Sequence, residues 1–211
     1  MQTPPRFFAV VGNGQISLRD GRMIDGCDVV VRFNGAHSCG MHGTRTDVLA
    51  LGNASEINAW SMNPRAVSAA HTIWSPEAVK PEARSGAEAI RGKPYLVLGW
   101  APDVLAPYAT RSGAWASTGI VVIAHIRQAY PEAKIHLFGF SHRGSEVHDW
   151  EAEAAFCDAL EREGVLIRHQ AEDGLLDRLH LRILRALERL RRKRHRRRTR
   201  RKLGRAGQTG T

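Results

Sequence analysis

The sequence predicts an α/β fold built around a mainly parallel β-sheet with helices on its faces. Three observations support this prediction. Apolar strand-like segments alternate with helix-like segments along much of the chain, which is typical of repeated β-α units. The first strand-like segment runs into a Gly-Asn-Gly turn at Gly12–Gly14. Glycine or polar residues follow several other strand-like segments, where parallel sheets of this class bind their ligands.

Each predicted strand is a short apolar run, and the predicted helices lie between several of them. The strands are Phe7–Val11, Cys27–Phe33, Asp47–Leu51, His71–Trp74, Tyr95–Leu98, Lys134–Phe138 and Val165–His169. The helices are Glu56–Met62, Pro76–Ile90, Thr118–Tyr130 and Asp149–Glu163. The carboxyl ends of the strands would bring together Gly12–Gly14, Asn34, Gly52-Asn53, Gly99-Trp100 and Gly139–Arg143 around one rim. This rim is the expected place of a ligand.

Two local features favour a phosphate at this rim. A glycine turn after a buried strand lets backbone N–H groups approach a phosphate closely. Gly12–Gly14 is not the dinucleotide fingerprint, because no glycine lies three residues after Gly14, and a plain tight turn explains the segment equally well. Ser117 or Thr118 would cap the next helix, whose first N–H groups and dipole form an anion site. A capped helix with nothing bound is the commoner arrangement across proteins.

The positive charge of the chain is concentrated near its C-terminus. Of the 31 Lys and Arg residues, fifteen lie between Arg178 and Arg205 with a single acid, Glu188. The chain carries +10 in total, so this segment holds about +14 and the remainder about −4. We predict one domain at residues 1–174, followed at 175–211 by a basic amphipathic helix and a partly disordered Arg-rich tail. The apolar stripe of that helix is Leu176, Leu179, Ile183, Leu187 and Leu190.

Several partners are compatible with this basic tail. It could remain solvated, or it could draw the protein to an anionic membrane surface. Nucleic acid is less favoured, because no aromatic residues are interleaved to stack bases. The N-terminus has no signal-peptide pattern, and no apolar run approaches the roughly 18 residues of a membrane span. We therefore expect a cytoplasmic protein, with peripheral contact at the inner membrane face as an alternative for the tail.

The cysteines indicate neither a disulfide scaffold nor a zinc site. Cys27, Cys39 and Cys157 are odd in number and show no Cys-x-x-Cys spacing. Buried or incidental thiols in a reducing compartment are expected instead.

Three motifs occur in a distinctive order along the chain. The first joins Val-Gly-Asn-Gly at 11–14 with Asp25, Val31-Arg32-Phe33-Asn34 and Gly43–Asp47. The second is Ser117-Thr118-Gly119 before a strand ending Phe138-Gly139-Phe140, and the third is His148 with Glu153 five residues on. This arrangement resembles the large, small and last motifs of the sialyltransferases of glycosyltransferase family 29. The resemblance covers Phe8 to Glu153 and points to small bacterial members, some of which are named for urease operons.

The resemblance implies a Rossmann-like sheet of the variant GT-A type and an enzyme without metal or cofactor. The reaction would be an inverting transfer of sialic acid or a related acid from a CMP-sugar to an acceptor hydroxyl. His148 would be the general base, a role that suits histidine because it titrates near neutral pH. Nucleotide contacts would come from Gly12, Asn13, Gly14, Asn34, Ser117, Thr118 and Gly119. Supporting positions would be Asp25, Arg32, Glu153 and His142.

A second hypothesis is a nucleotide-binding accessory protein of urease-operon type that keeps the fold without transfer. The family's His-Tyr-Tyr/Phe-Glu motif has no clear match, and His142 is a poor substitute for its histidine, which favours this second hypothesis. The retained His148 favours the enzyme. Without the resemblance, a histidine beside Asp149 is typical of a capping or surface residue. Glu153 would lie about 140° from His148 around an ideal helix, so a supporting role at the helix start is expected rather than direct pairing.

Two further expectations concern residues away from this histidine. Arg45 and Asp47 are expected to form a buried structural pair. An RNA-associated protein is a third hypothesis that depends on the tail alone.

Overall fold

The computed structural model describes residues 3–52, 62–77, 90–100, 102–110, 113, 115–142 and 146–171. All of them belong to the first of the two units into which the chain divides, Met1–Ala171. Asn53, Arg143, most of the two helices predicted at Glu56–Met62 and Pro76–Ile90, and the basic segment 175–211 lie outside the described residues.

Seven parallel strands form one sheet in the order β5-β4-β3-β2-β1-β6-β7. The strands are β1 (Phe7–Val11), β2 (Val29–Phe33), β3 (Val48–Ala50), β4 (Thr72–Ser75), β5 (Tyr95–Val97), β6 (Lys134–Phe138) and β7 (Leu166–His169). The interior strand β1 pairs on one side with β2, Phe8 opposite Val29, and on the other with β6, Phe8 opposite Ile135. The predicted parallel α/β sheet is confirmed, and each predicted strand is present with its bounds shifted by two residues at most.

The interior strands of the sheet are mostly buried on both faces, as in parallel sheets with crossover helices, whereas Leu96 and Val97 of the edge strand β5 are exposed. Along β1, Phe8 and Val10 point to one apolar cluster, whereas Ala9 and Val11 point to another. This alternation follows from the two-residue period of a strand. A strand that is buried on both faces has no side exposed to water, which explains why these strands are short continuous apolar runs in the sequence.

Four α-helices and two short 3₁₀ helices accompany the sheet in the described part of the chain. The α-helices are α1 (Asp20–Gly26), α2 (Pro64–Ala69), α3 (Thr118–Ala129) and α4 (Trp150–Arg162), and the 3₁₀ helices are Pro102–Val104 and Ala106–Tyr108. The predictions of α3 and α4 are confirmed to within one residue at each end. Neither α1 nor α2 was predicted. The start of α2 does carry a local signal, because Asn63 caps it and proline follows at the first helical position.

The order of the strands places a crevice beside β1. From β1 the sheet grows through β2 to β5 in one direction, and β6 and β7 are added on the other side. The direction of winding therefore reverses between β1 and β6. In open parallel sheets, such a reversal separates the loops at the carboxyl ends of the two strands and leaves room for a ligand.

The three cysteines are buried and form no disulfide bond. Among the described residues, no helix combines the length and the apolar character needed to cross a bilayer.

Candidate functional site

A cavity of about 410 Å³ lies at the carboxyl ends of β1, β2 and β6. It brings together nine of the predicted site residues: Gly12, Asn13, Gly14, Asn34, Ser117, Thr118, Gly119, His142 and His148. Its other lining residues are Phe33, Gly139, Phe140, Ser141 and Trp150. Asp25, Arg32 and Glu153 are absent from its wall. Segments from all three sequence motifs thus meet beside the reversal of the sheet.

The Gly-Asn-Gly turn closes β1 onto β6. Gly12 N donates to Phe138 O at 2.8 Å, and Gly14 N donates to Gly139 O at 2.9 Å. A Cβ atom on either Gly12 or Gly14 would lie 2.5 Å from Gly139 O, so both positions require glycine. The expectation that this turn offers N–H groups to a phosphate is therefore wrong for these two glycines, whose N–H groups bind protein carbonyls.

The two asparagines connect the ends of neighbouring strands. Asn13 Nδ2 donates to Phe33 O at 3.1 Å, and Asn13 Oδ1 accepts from His37 N at 3.4 Å. Asn34 Oδ1 accepts from Gly52 N at 2.9 Å. Asn34 has a φ of 47°, a left-handed conformation that asparagine adopts more readily than most other residues. Within the described residues Asn34 Nδ2 donates no hydrogen bond, so it is the amide group available to a ligand.

Ser117 begins α3 and is held by a carboxylate from α4. Its Oγ accepts from Ile120 N at 3.4 Å, which is an N-cap. Glu153 accepts twice from the same residue, from Ser117 N at 2.7 Å and from Ser117 Oγ at 2.8 Å. Glu153 is only 1% exposed; burial raises its pKa, and the two hydrogen bonds from Ser117 oppose that rise. Glu153 therefore stabilises the start of a different helix from its own, a contact that its spacing from His148 did not indicate.

Gly119 allows an aromatic ring to pack on the first turn of α3. A Cβ at this position would lie 2.5 Å from the ring of Phe140. Phe140 in turn meets Phe33 edge to face, with ring centroids 5.7 Å apart. The first N–H groups of α3, with the positive end of the helix dipole, adjoin the cavity at Ser117–Gly119 and make this wall favourable for an anion.

His148 is oriented by a backbone carbonyl. Its Nδ1 lies 2.8 Å from Trp115 O, and since a carbonyl oxygen can only accept, Nδ1 carries the proton. In the neutral ring the basic atom is then Nε2. The Trp115 segment is itself fixed, because Trp115 N donates to Val147 O at 3.1 Å. The ring of Trp150, which sequence reasoning did not assign to the site, packs edge to face on His148 with centroids 5.0 Å apart.

Asp149 fixes the backbone immediately after His148. It caps α4 by accepting from Ala152 N at 3.0 Å. It also accepts from Thr110 N at 2.8 Å and from Thr110 Oγ1 at 2.9 Å, and it is 4% exposed. The cap of this helix is therefore Asp149 and not His148, which is half-buried in the cavity wall.

The predicted supporting residues Asp25 and Arg32 organise the loop between β2 and β3. Asp25 accepts from the backbone N–H groups of Thr44 and Arg45. Arg32 is fully buried, which lowers its pKa, and it donates three hydrogen bonds into this loop. The acceptors of Arg32 are His42 O, Arg45 O and Ser38 Oγ, at 2.7–2.9 Å.

The expected pair of Arg45 and Asp47 is present, with Arg45 Nη2 2.8 Å from Asp47 Oδ2, although it is partly exposed rather than buried. No cluster of three or more His, Cys, Asp or Glu residues suited to a metal is found in the described part of the chain.

The chain resembles known proteins in both sequence and structure. No family model matches the chain. The chain is 29% identical over 208 residues to the urease operon 23 kDa accessory protein of Rhizobium meliloti (strain 1021), an alignment covering 77% of this chain and 92% of the relative. It is also similar to a solved structure titled as the crystal structure of a mammalian sialyltransferase, at a TM-score of 0.48 and 18% identity over 80% of this chain and 70% of that one.

Proposed function

We propose that this protein transfers a sugar from a CMP-sugar to an acceptor hydroxyl, with His148 as the general base. The observation that carries the proposal is the 2.8 Å contact from His148 Nδ1 to Trp115 O in a cavity that also contains the N-terminus of α3. That contact leaves Nε2 as the proton acceptor. The donor sugar would be sialic acid or a related acid, and no metal or cofactor is needed in this mechanism.

The proposed reaction is a single displacement at the anomeric carbon. His148 Nε2 takes the proton of the acceptor hydroxyl while its oxygen forms the new bond, and the bond from the anomeric carbon to the phosphate oxygen breaks. CMP leaves as the phosphate monoester. Because the acceptor oxygen attacks from the side opposite the leaving phosphate, the configuration at the anomeric carbon inverts. The N–H groups at the start of α3, the Thr118 hydroxyl and Asn34 Nδ2 would stabilise the negative charge of the leaving phosphate.

The first test is calorimetric titration of the full chain with CMP, against UMP and GMP, without added metal. Selective binding of CMP is expected, and no binding of any of the three would contradict the proposal. Release of CMP from CMP-sugars then measures turnover. His148→Ala should lower turnover by roughly 10²–10⁴-fold, the usual contribution of a general base, and leave CMP affinity nearly unchanged.

His71→Ala is the matched control for this variant, because the His71 side chain is 80% exposed and lies outside the cavity. It should behave as the wild type in both assays. Equal losses of turnover and CMP affinity in His148→Ala would remove the base assignment.

A nucleotide-binding accessory protein without transferase activity is the second candidate. It is favoured by the internal use of the Gly12 and Gly14 N–H groups, the Asn13 amide and Asn34 Oδ1, which leaves fewer groups for a donor. The name of the relative from Rhizobium meliloti points the same way. This candidate predicts CMP binding with no release of CMP from any CMP-sugar, with or without acceptor.

We also propose a cytoplasmic protein that binds the inner membrane face through residues 175–211. The support is the charge of about +14 between Arg178 and Arg205. The full chain should sediment with vesicles containing phosphatidylserine and not with phosphatidylcholine vesicles, and added salt should release it. RNA binding at a salt concentration that abolishes vesicle binding would favour the nucleic-acid alternative instead.

A further inference from the structure

Two hydrogen-bonded residues near the candidate cavity carry unusually exposed apolar side chains. Trp115 is 56% exposed and Val147 is 57% exposed, the highest fractions of any large apolar side chain in the described part of the chain. Trp115 N donates to Val147 O at 3.1 Å. Trp100 adds a half-buried ring, which meets Trp115 edge to face with centroids 5.5 Å apart. We call these three side chains the Trp115 patch.

The fold holds the Trp115 patch in place. Both backbone polar groups of Trp115 are used, its N–H by Val147 O and its carbonyl oxygen by His148 Nδ1 at 2.8 Å. Trp100 packs against the largest apolar cluster of the core and supports the Trp115 ring from below. The exposure of Trp115 is therefore set by its anchored backbone and by its ring neighbour.

The Trp115 patch adjoins the wall of the candidate cavity. His148 lines that cavity and is the residue whose ring Trp115 O orients. Trp150, a further aromatic residue of the same wall, packs on the other side of His148. A surface that covered the Trp115 patch would therefore lie beside the cavity.

The size and chemistry of the patch favour a lipid bilayer over a protein partner. A stable protein interface buries about 800 Å² on each partner, far more than three side chains supply. Tryptophan is enriched where lipid headgroups meet acyl chains, because its ring is apolar while its N–H still donates a hydrogen bond. The charge of about +14 between Arg178 and Arg205 independently favours an anionic surface as the partner.

We propose that the Trp115 patch inserts into the interfacial region of an anionic lipid bilayer. This inference rests on the membrane attachment proposed above and adds a contact made by the folded domain itself, and it does not depend on sugar transfer. The exposed residue before Val147 is the acid Glu146, so the patch contributes through apolar contact and not through charge. Its contribution should therefore be insensitive to salt, unlike that of the basic segment.

Tryptophan fluorescence of the full chain on vesicles tests the inference. The vesicles contain phosphatidylcholine and phosphatidylserine, with or without bromine on the acyl chains, since bromine quenches a ring that lies among them. Binding should shift the emission to shorter wavelength, and brominated lipid should quench it. Trp115→Ala should remove most of the quenching and weaken vesicle binding by roughly three- to tenfold, because about half of a large apolar side chain is no longer withdrawn from water.

A second variant and a matched control accompany Trp115→Ala. Val147→Ser changes a side chain that is mostly exposed, so it should fold normally and weaken vesicle binding by roughly two- to threefold. Met23→Ala is the control, because Met23 is 45% exposed on α1, whose Ile24 packs in the apolar cluster on the other face of the sheet. It should bind vesicles and be quenched as the wild type is.

The outcomes separate this inference from the proposals made above. Salt-dependent vesicle binding that is unchanged in both Trp115→Ala and Val147→Ser would leave the basic segment as the membrane contact and overturn the inference. A shift of the emission with rising protein concentration, without vesicles and lost in Trp115→Ala, would identify a second copy of the chain as the occupant and also overturn it. Failure of the wild type to bind these vesicles would overturn both membrane proposals and leave the CMP-sugar reaction to its own test.

Discussion

Replacing Glu153 with alanine should destabilise the protein strongly, because it removes the link between α3 and α4. The carboxylate accepts two short hydrogen bonds, from Ser117 N at 2.7 Å and Ser117 Oγ at 2.8 Å, and is 1% exposed. A hydrogen bond to a charged group contributes about 1.5–3 kcal/mol. Burial of the charged carboxylate is unfavourable, as the raised pKa of Glu153 indicates, and removing that cost offsets part of the loss. The net cost of Glu153→Ala should therefore be about 2–4 kcal/mol.

Glu153→Gln should cost far less, about 1 kcal/mol or below, because the amide keeps both contacts. Its oxygen can accept from Ser117 N, its NH₂ can donate to Ser117 Oγ, and the buried charge is removed. Urea denaturation measures the difference. With a slope of about 2 kcal/mol/M, a loss of about 3 kcal/mol lowers the midpoint by about 1.5 M.

Glu151→Ala is the control, since Glu151 is an exposed acid in the first turn of the same helix. It should cost at most about 1 kcal/mol, through the helix dipole. The reasoning fails if Glu153→Ala destabilises no more than Glu151→Ala does, or if Glu153→Gln is as damaging as Glu153→Ala.

Three further predictions concern packing, pH and thiol reactivity. Gly119→Ala should lower the free energy of unfolding, measured with urea, by about 1–3 kcal/mol, because the new methyl group overlaps the Phe140 ring. Adding Phe140→Leu should recover part of that loss, whereas additive losses would contradict the contact. Burial lowers the pKa of four histidines below the ordinary value of 6.5: His125, His136, His142 and His169. The folded chain therefore binds fewer protons than the unfolded chain below about pH 6.5, and the urea midpoint should fall as the pH drops from about 7.5 to about 5.5. His125→Leu should reduce this fall, and an equal fall in the variant would contradict the prediction. Burial raises the pKa of Cys157 to about 12, so this thiol should react with a disulfide reagent at mild pH only after unfolding, and fast labelling of the native protein would be the contrary result.

The sequence predicted which residues line the candidate cavity better than it predicted the hydrogen bonds that those residues make. Ser117 and His148 were identified from motifs and do lie in one cavity. The partners that position them, Glu153 Oε1 and Oε2 for Ser117 and Trp115 O for His148, were not identified. A backbone carbonyl leaves no trace in the residue type, and the contact between Ser117 and Glu153 spans 36 residues. No local pattern reports either contact.

By itself the sequence determined the strands and the helices α3 and α4. These depend on the apolar runs, caps and residue spacings of single segments, which are local and can be read one segment at a time. Only the tertiary structure decided that β6 lies beside β1, that the Gly12 and Gly14 N–H groups bind carbonyls, and that Glu153 of α4 accepts hydrogen bonds from Ser117 at the start of α3. Each of these arises where segments far apart in the chain compete for the same space and the same hydrogen-bond partners, and packing alone resolves that competition.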